Sequence, residues 1–202
     1  MDCVAPLHEL REVVEYHPQF VENPRILYRK FQRFGFKRRQ VQDENGKNLY
    51  TLSRETCVFG DDDILDTPPR IWGSNNPVRR WTPELTEIKQ KIEKYTKCQY
   101  NICLCNYYRS GKNSIGWHSD NEEKGSTSSI VSISLGAERD FLFKDIQSGE
   151  ITSFRLENGS MIWMKEGCQS KYMHHLPRDE KVLDGRINLT FRLFDVDRYA
   201  DK

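Results

Sequence analysis

The chain has 202 residues, the length of one domain or of one domain with a small extension. Hydrophobic residues make up 37% and charged residues 30%, a globular composition that excludes a disordered chain. No run approaches the roughly 18–20 apolar residues that a membrane helix needs, so we expect no membrane association. The formal net charge of +1 gives no overall attraction to polyanions, and any nucleic-acid binding depends on a local patch.

The N-terminal residues lack the basic and then apolar pattern of a secretion signal, so we expect an intracellular protein. Reduced thiols are the expected state of its six cysteines in that setting. Cys103 and Cys105 lie in an apolar run and have the wrong spacing for a zinc knuckle, which favours buried strand thiols over metal ligands. The other four are Cys3, Cys57, Cys98 and Cys168.

The N-terminal half begins with a predicted helix and a predicted hairpin. Residues 6–16 have apolar side chains at helical spacing, namely Leu7, Leu10, Val13 and Val14. A basic and aromatic run over residues 25–39 contains seven lysines or arginines and no acid. This run predicts either phosphate contacts or a solvated cationic helix face. Asn45-Gly46 favours a type I′ turn and predicts a β-hairpin around it.

A second helix and then a series of strands follow. Thr82 is suited to be the N-cap and Pro83 the first residue of a helix. Its predicted apolar side contains Leu85, Ile88, Ile92 and Tyr95. From residue 99 the pattern has period two and predicts a sandwich or barrel, with helices confined to the N-terminal half. The predicted strands are 100–108, 114–120, 129–135, 140–144, 150–156, 160–165 and 186–194.

Two of these strands carry an unusual polar face. Alternation places one set of residues 186–194 opposite the apolar set Ile187, Leu189, Phe191 and Leu193. That polar set could hold a dicarboxylate, because the planar guanidinium matches carboxylate geometry, or it could face water. On strand 100–108, an amide and a phenol suit carboxylate recognition, although the tyrosine could equally pack by its ring. These polar residues are Arg186, Asn188, Thr190 and Arg192 on one strand and Asn106 and Tyr108 on the other.

His118 and Asp120 are two residues apart, so in a strand both side chains project to the same side. Two histidines and one carboxylate leave half of the coordination sphere of Fe(II) open for a chelating oxoacid and dioxygen. The third ligand could be His174 or His175. The remaining histidines, His8 and His17, lie in the N-terminal helical stretch and are poor candidates.

Several motifs together resemble the AlkB family of Fe(II)- and 2-oxoglutarate-dependent dioxygenases. The stretches are LCNYYRSGKNSIGWHSDNE, SIVSISLGAERDFLFK, LENGSMIWM, HHLP and RINLTFR, which occur in the family's order. The resemblance is strongest to nuclear members that reverse alkylation damage in DNA and RNA. It implies an α+β fold with a double-stranded β-helix (jelly-roll) core at 99–202. N-terminal helices and a β-hairpin nucleotide-recognition lid would occupy residues 1–98 of the same domain.

The resemblance also implies a set of site residues. In the family pattern the distal histidine precedes the proline of an H-x-x-P stretch, which here makes it His174. Iron would be bound by the catalytic residues His118, Asp120 and His174. The 2-oxoglutarate cosubstrate would be held by Asn106, Tyr108, Arg186, Asn188 and Arg192.

The implied reaction uses Fe(II), 2-oxoglutarate and O2 to hydroxylate the N-methyl group of a base such as 1-methyladenine or 3-methylcytosine. Formaldehyde, succinate and CO2 would be released. The alkylated DNA or RNA would be single-stranded or would present a flipped base. Glu122 would face the cationic base unless it is a solvated turn residue, and Arg54 is a further candidate for nucleic-acid contact. Trp72 would either stack on the base or be a core residue. Both roles stay open because PRIWGS replaces the family's Tyr-x-Tyr pattern.

Two other functions remain open. One is a 2-oxoglutarate-dependent oxygenase that acts on protein or lipid, which the basic run makes less attractive. The other is a non-catalytic jelly-roll binding module, which would be expected to have lost a metal ligand or an arginine. We expect a monomer in the nucleus or cytoplasm.

Overall fold

The computed structural model describes residues 5–42, 49–66, 70–71, 74–75, 77–120 and 128–194. The helices in these ranges are α1 (Ala5–Val13), α2 (Pro24–Phe31), α3 (Asp62–Asp66), α4 (Pro83–Thr96) and α5 (Cys168–Lys171). The first six strands are β1 (Val14–His17), β2 (Lys37–Gln42), β3 (Leu49–Gly60), β4 (Arg70–Ile71), β5 (Ser74–Asn75) and β6 (Val78–Arg80). The other eight are β7 (Ile102–Tyr108), β8 (Ile115–His118), β9 (Ser129–Gly136), β10 (Arg139–Asp145), β11 (Ile151–Leu156), β12 (Met161–Lys165), β13 (Tyr172–Leu176) and β14 (Arg186–Arg192).

The last eight strands divide between two sheets. One has the order β1-β12-β9-β14-β7-β3-β2, with β6 pairing in parallel with β3, and the other has the order β11-β10-β13-β8. Within β7 to β14 the chain crosses between the sheets so that each receives four antiparallel strands, which is the double-stranded β-helix (jelly-roll) sandwich. The N-terminal strands β1, β2 and β3 extend the larger sheet. The expected fold class is therefore confirmed.

Strand β14 is central in the larger sheet and is buried on both faces. Its apolar side chains Ile187, Leu189 and Phe191 are fully buried on the outer face of the sheet. Helices α2 and α4 cover that face with apolar side chains of their own, among them Phe31 and Leu85. The alternate side chains of β14 point to the inner face, between the two sheets. A second apolar cluster, which includes Leu10, Phe143 and Leu176, fills part of that inner space.

Helix α4 follows its sequence signals closely. The Thr82 hydroxyl accepts a hydrogen bond from the Leu85 backbone N–H at 3.3 Å, and Pro83 is the first helical residue, as predicted. Leu85, Ile88 and Ile92 are buried, but Tyr95 is 42% exposed, so its assignment to the buried side is wrong. The Tyr95 ring instead packs edge-on against the buried Phe20 and the half-buried Trp163. Thr96 takes the buried position.

Other boundaries differ from the sequence prediction. The helix predicted over 6–16 ends at Val13, because the next residues pair with β12 and place Val14 opposite Met164. Strand β13 was not predicted, and α5 lies outside the N-terminal half to which helices had been assigned. The last strand ends at Arg192, so Leu193 is 41% exposed and does not continue the apolar face.

The predicted hairpin is present as the antiparallel pair β2–β3, although its Asn45-Gly46 turn lies outside the described residues. This pair divides the basic run in two. Residues 37–39 lie on β2, next to the strand whose residues 50–54 face the space between the sheets. Residues 25–33 belong to α2 and the turn after it, on the outer face of the larger sheet. The lid function and the division at residue 98 remain predictions.

The five described cysteines are free, and Cys103 and Cys105 are fully buried on β7, as expected for strand thiols; Cys3 lies outside the described residues. In the part of the chain that the structure describes, no helix has the length and apolar character needed to cross a membrane.

Leu189→Ala is expected to lower the free energy of unfolding by about 2–5 kcal/mol, because it leaves a cavity in the core. Leu193→Ala is the matched control, since the same truncation at a 41% exposed position should change stability by no more than about 0.5 kcal/mol. Urea unfolding of both variants measures the difference. Equal losses would contradict the placement of the two leucines.

Candidate metal and cosubstrate site

A cavity of about 670 Å³ lies between the two sheets. The polar faces of β7, β9 and β14 form one wall, and β8 and β13 form the opposite wall. Residues 50–54 of β3 border the cavity on the hairpin side.

His118 and His174 meet because they are directly opposite each other on the adjacent antiparallel strands β8 and β13. Their ring centroids are 4.2 Å apart. Asp120 completes the group, with carboxylate oxygens 3.8 Å from His118 Nε2 and 3.7 Å from His174 Nε2. Ligand atoms about 2.1 Å from one metal ion lie about 3 Å or more from one another. The observed spacing is slightly wider, so the group fits a single cation.

Asp120 does not reach this position by strand alternation. Strand β8 ends at His118, two residues before Asp120, so the predicted strand 114–120 is too long at its C-terminal end. Instead, the Asp120 backbone N–H donates to Gln169 Oε1 at 2.8 Å. Arg192 Nη2 contacts Asp120 Oδ1 at 2.8 Å. The residue is therefore held at both its backbone and its carboxylate.

The protonation states suit metal binding. Burial lowers the pKa of His174 to about 3 and also lowers the pKa of His118, so both imidazoles are neutral at neutral pH. Burial would raise the pKa of Asp120, but Arg192 and the two histidines hold it below its usual range. A hydrogen bond of 2.8 Å joins His118 Nδ1 to the Gly116 carbonyl, and a proton on Nδ1 leaves the Nε2 lone pair free. Two neutral imidazoles and a carboxylate are the donor set that Fe(II) accepts.

Arg186 lies deeper in the cavity and suits an anion. Its side chain is 2% exposed, its Nη2 donates to Ser134 Oγ at 2.8 Å, and its guanidinium lies over the Tyr108 ring at 5.4 Å. Burial lowers its pKa to about 10, so it remains charged at neutral pH. Its Nε is buried without a hydrogen-bond partner, and no carboxylate of the described residues pairs with it. A buried guanidinium with an unpaired N–H group is suited to bind the carboxylate of a ligand.

Asn106 and Asn188 are opposite each other on β7 and β14 and form a chain of oriented amides. Arg54 Nε donates to Asn106 Oδ1 at 2.7 Å, and Asn106 Nδ2 donates to Asn188 Oδ1 at 3.2 Å. Asn188 Nδ2 then donates to Ser132 Oγ at 2.6 Å. All five residues assigned to 2-oxoglutarate line the cavity: Asn106, Tyr108, Arg186, Asn188 and Arg192. Their contacts with the cosubstrate remain predictions.

His175 is not among the residues that line the cavity. Its ring stacks on Trp117 with centroids 4.9 Å apart, and its Nδ1 is 2.6 Å from the Ile115 carbonyl oxygen. This arrangement favours His174 over His175 as the third ligand. Trp81, just before α4, stacks parallel to the buried Phe191.

The residues proposed for substrate contact are only partly described. Arg54 lines the cavity, but its Nε is used by Asn106. Glu122 and Trp72 lie outside the described residues, so their roles remain predictions. Sequence reasoning missed three aromatic residues that line the cavity, because none belongs to a spacing pattern that points to a site. They are Tyr50, Trp117 and Phe141.

Arg139, which has no carboxylate partner among the described residues, links two backbone segments. It is 1% exposed and donates to four backbone carbonyls, those of Ser110, Gly111, Asn113 and Pro177. These bonds join the loop after β7 to the segment after β13.

The fold and the His-x-Asp…His group define a jelly-roll with a candidate site for a divalent metal. Residues 28–192 match the family description "2OG-Fe(II) oxygenase superfamily". The chain is 34% identical over 153 residues to mouse (Mus musculus) alpha-ketoglutarate-dependent dioxygenase alkB homolog 3, covering 71% of this chain and 52% of that protein. It is also 34% identical over 152 residues to human (Homo sapiens) DNA oxidative demethylase ALKBH2, covering 71% of this chain and 57% of that protein.

The solved structure of OsALKBH1 has a TM-score of 0.60 at 19% identity and covers 89% of this chain and 97% of its own, which supports the fold. The chain therefore belongs to the 2OG-Fe(II) oxygenase superfamily, and within it the chain is similar to AlkB proteins. Membership implies Fe(II), 2-oxoglutarate and O2 as the cofactor and cosubstrates. The matched region spans about half the length of these AlkB relatives.

His174→Ala is expected to weaken Mn(II) binding by at least about 100-fold, because it removes a ligand rather than a supporting group. His175→Ala, on the same strand, is the matched control and should stay within about threefold of wild type. Titration of Mn(II) followed by electron paramagnetic resonance measures free metal directly. A larger loss in the His175 variant would show that the two histidines have been assigned in the wrong order.

Arg186→Lys keeps the charge but loses the planar fork, so 2-oxoglutarate binding to the Mn(II)-loaded protein should weaken by about 10- to 100-fold. Arg155→Lys is the control, since Arg155 is half-exposed and pairs with Asp140 away from the cavity. Isothermal titration calorimetry gives both affinities. An unchanged affinity in the Arg186 variant would remove this residue from the cosubstrate site.

Proposed function

We propose that the protein is an Fe(II)- and 2-oxoglutarate-dependent dioxygenase that demethylates N-alkylated bases in DNA or RNA. The substrates are of the 1-methyladenine and 3-methylcytosine type. The reaction consumes O2 and releases formaldehyde, succinate and CO2. The main support for the proposal is that His118, Asp120 and His174 converge in the same cavity as Arg186. Arg186 is buried and has no carboxylate partner among the described residues.

Different residues of the chain would have different roles in such a reaction. His118, Asp120 and His174 would hold Fe(II), which supplies the oxidising chemistry when it is bound with 2-oxoglutarate and O2. Arg186, with Tyr108 and Ser134, would bind one carboxylate of 2-oxoglutarate at the deep end of the cavity. Arg192 neutralises the charge of Asp120 and keeps its carboxylate in place.

The amide chain of Asn106 and Asn188 would fix the orientation of the cosubstrate. Because each amide donates to one neighbour and accepts from another, neither is free to flip. The two arginines and the amides therefore present a fixed set of donors before the cosubstrate arrives, which lowers the entropic cost of its binding.

A nucleic-acid substrate is supported by the surroundings of the cavity and by the relatives' names. The basic residues 37–39 of β2 lie beside the strand that borders the cavity, where they would reach a phosphate backbone. Tyr50 is 52% exposed and lines the cavity, so it would offer a ring to a base taken out of the stack. Glu122 and Trp72 remain further candidates. A monomer in the nucleus or cytoplasm is part of the proposal.

The test is turnover on oligonucleotides that carry 1-methyladenine or 3-methylcytosine, as single-stranded DNA, duplex DNA and RNA. We expect formaldehyde release that requires both Fe(II) and 2-oxoglutarate, with one succinate per formaldehyde. The unmethylated oligonucleotides and His118→Ala are the controls. His118→Ala should remain folded and lose at least about 1,000-fold in rate, because the reaction depends on the metal.

Two other outcomes would favour the competing functions. If 2-oxoglutarate is consumed but no methylated oligonucleotide releases formaldehyde, the substrate is of another class, such as protein or lipid. If anaerobic Fe(II) and 2-oxoglutarate give no visible absorption band, the chain is a binding module rather than an enzyme.

A further inference from the structure

We propose that Gln169 is a positioning residue that sets the geometry of the candidate metal site through the backbone of Asp120. The proposal rests on the metal assignment made under the proposed function. It concerns a side chain that none of the motifs includes and that lies 49 residues from Asp120 in the chain.

The need for such a residue follows from the end of β8. His118 is fixed by its pairing with β13, but Asp120 lies beyond the strand and has no ladder partner. Asp120 is 6% exposed, so its N–H must find an acceptor within the protein. Gln169 Oε1 supplies that acceptor at 2.8 Å. Without it the segment that carries the carboxylate would lose its backbone attachment.

Gln169 is itself held in one orientation. Its side chain is 3% exposed, and its Nε2 donates to Met164 Sδ at 3.3 Å. The amide nitrogen therefore faces the sulfur and the amide oxygen faces the Asp120 N–H. A buried amide whose oxygen and nitrogen both have hydrogen-bond partners can hold the bonded group within a narrow range of positions.

Ser119 provides a second attachment for the same segment. Its hydroxyl donates to the Tyr172 carbonyl at 3.0 Å, at the junction of α5 and β13. The two bonds tie the segment after β8 to the stretch 169–172, a few residues before His174. Gln169 and Ser119 thus place Asp120 relative to the strand that carries the distal histidine.

The experiment compares Mn(II) affinities, measured by electron paramagnetic resonance with 2-oxoglutarate present, and thermal unfolding temperatures. Gln169→Leu removes the acceptor and should weaken Mn(II) binding by about 10- to 100-fold. Gln169→Glu keeps an oxygen at the same reach and should stay within about threefold of wild type or bind more tightly, because an added negative charge attracts the cation. Ser170→Ala is the matched control, since Ser170 lies on α5 but bonds to the Gly167 carbonyl.

The outcomes separate the possible explanations. If Gln169→Leu lowers the unfolding temperature but leaves Mn(II) affinity unchanged, Gln169 has a structural role alone and the proposal is wrong. Equal losses in the Leu and Glu variants would also contradict it, because the acceptor oxygen would not be the cause. If the wild-type protein does not bind Mn(II), the metal assignment itself fails and this inference fails with it.

A variant of the second attachment covers the case in which Gln169→Leu does not fold. Ser119→Ala removes one hydroxyl and should weaken Mn(II) binding by about two- to tenfold, the expected effect of losing a neutral hydrogen bond. Wild-type affinity in Ser119→Ala, with Gln169→Leu unfolded, would overturn the proposal that these attachments set the metal site.

Discussion

The register of β14 between β7 and β9 is the constraint on which both the core and the candidate site depend. The strand is buried on both faces, so a shift of one residue would move Leu189 into the cavity and Arg186 into the apolar core. Both errors are costly, because a buried guanidinium needs polar partners and a buried leucine needs apolar ones. The register of β14 that gives the larger sheet its buried core is therefore also the register that places Arg186 in the cavity.

Sequence periodicity was sufficient where a single local rule decides the structure. The alternation of residues 186–192 predicted which side chains share the inner face, and the Thr82–Pro83 signal predicted the start of α4. The expectation that His118 and His174 meet came from resemblance to a family, since no local pattern relates residues 56 positions apart. In the structure they lie opposite each other in register on β8 and β13.

Where the sequence prediction was wrong or incomplete, long-range contacts decided the structure. Residues 14–16 were predicted to continue the first helix but pair with β12, and that sheet contact overrides local propensity. Strand β13 has five residues and two adjacent histidines, so its sequence shows no clear alternation of apolar and polar residues. The position of Asp120 depends on a hydrogen bond to Gln169, which no periodicity reports. Polar contacts between distant residues are invisible to pattern analysis for this reason.

Strand β8 is the terminal strand of the smaller sheet, and its register with β13 shifts between His174 and Leu176. A ladder this short contributes little cohesion of its own. A cation bound by His118, Asp120 and His174 would cross-link that terminal strand to its neighbour β13. This edge of the smaller sheet would then be held most firmly in the metal-loaded protein. Binding of the metal would then both enable the reaction and make this edge of the sheet more rigid.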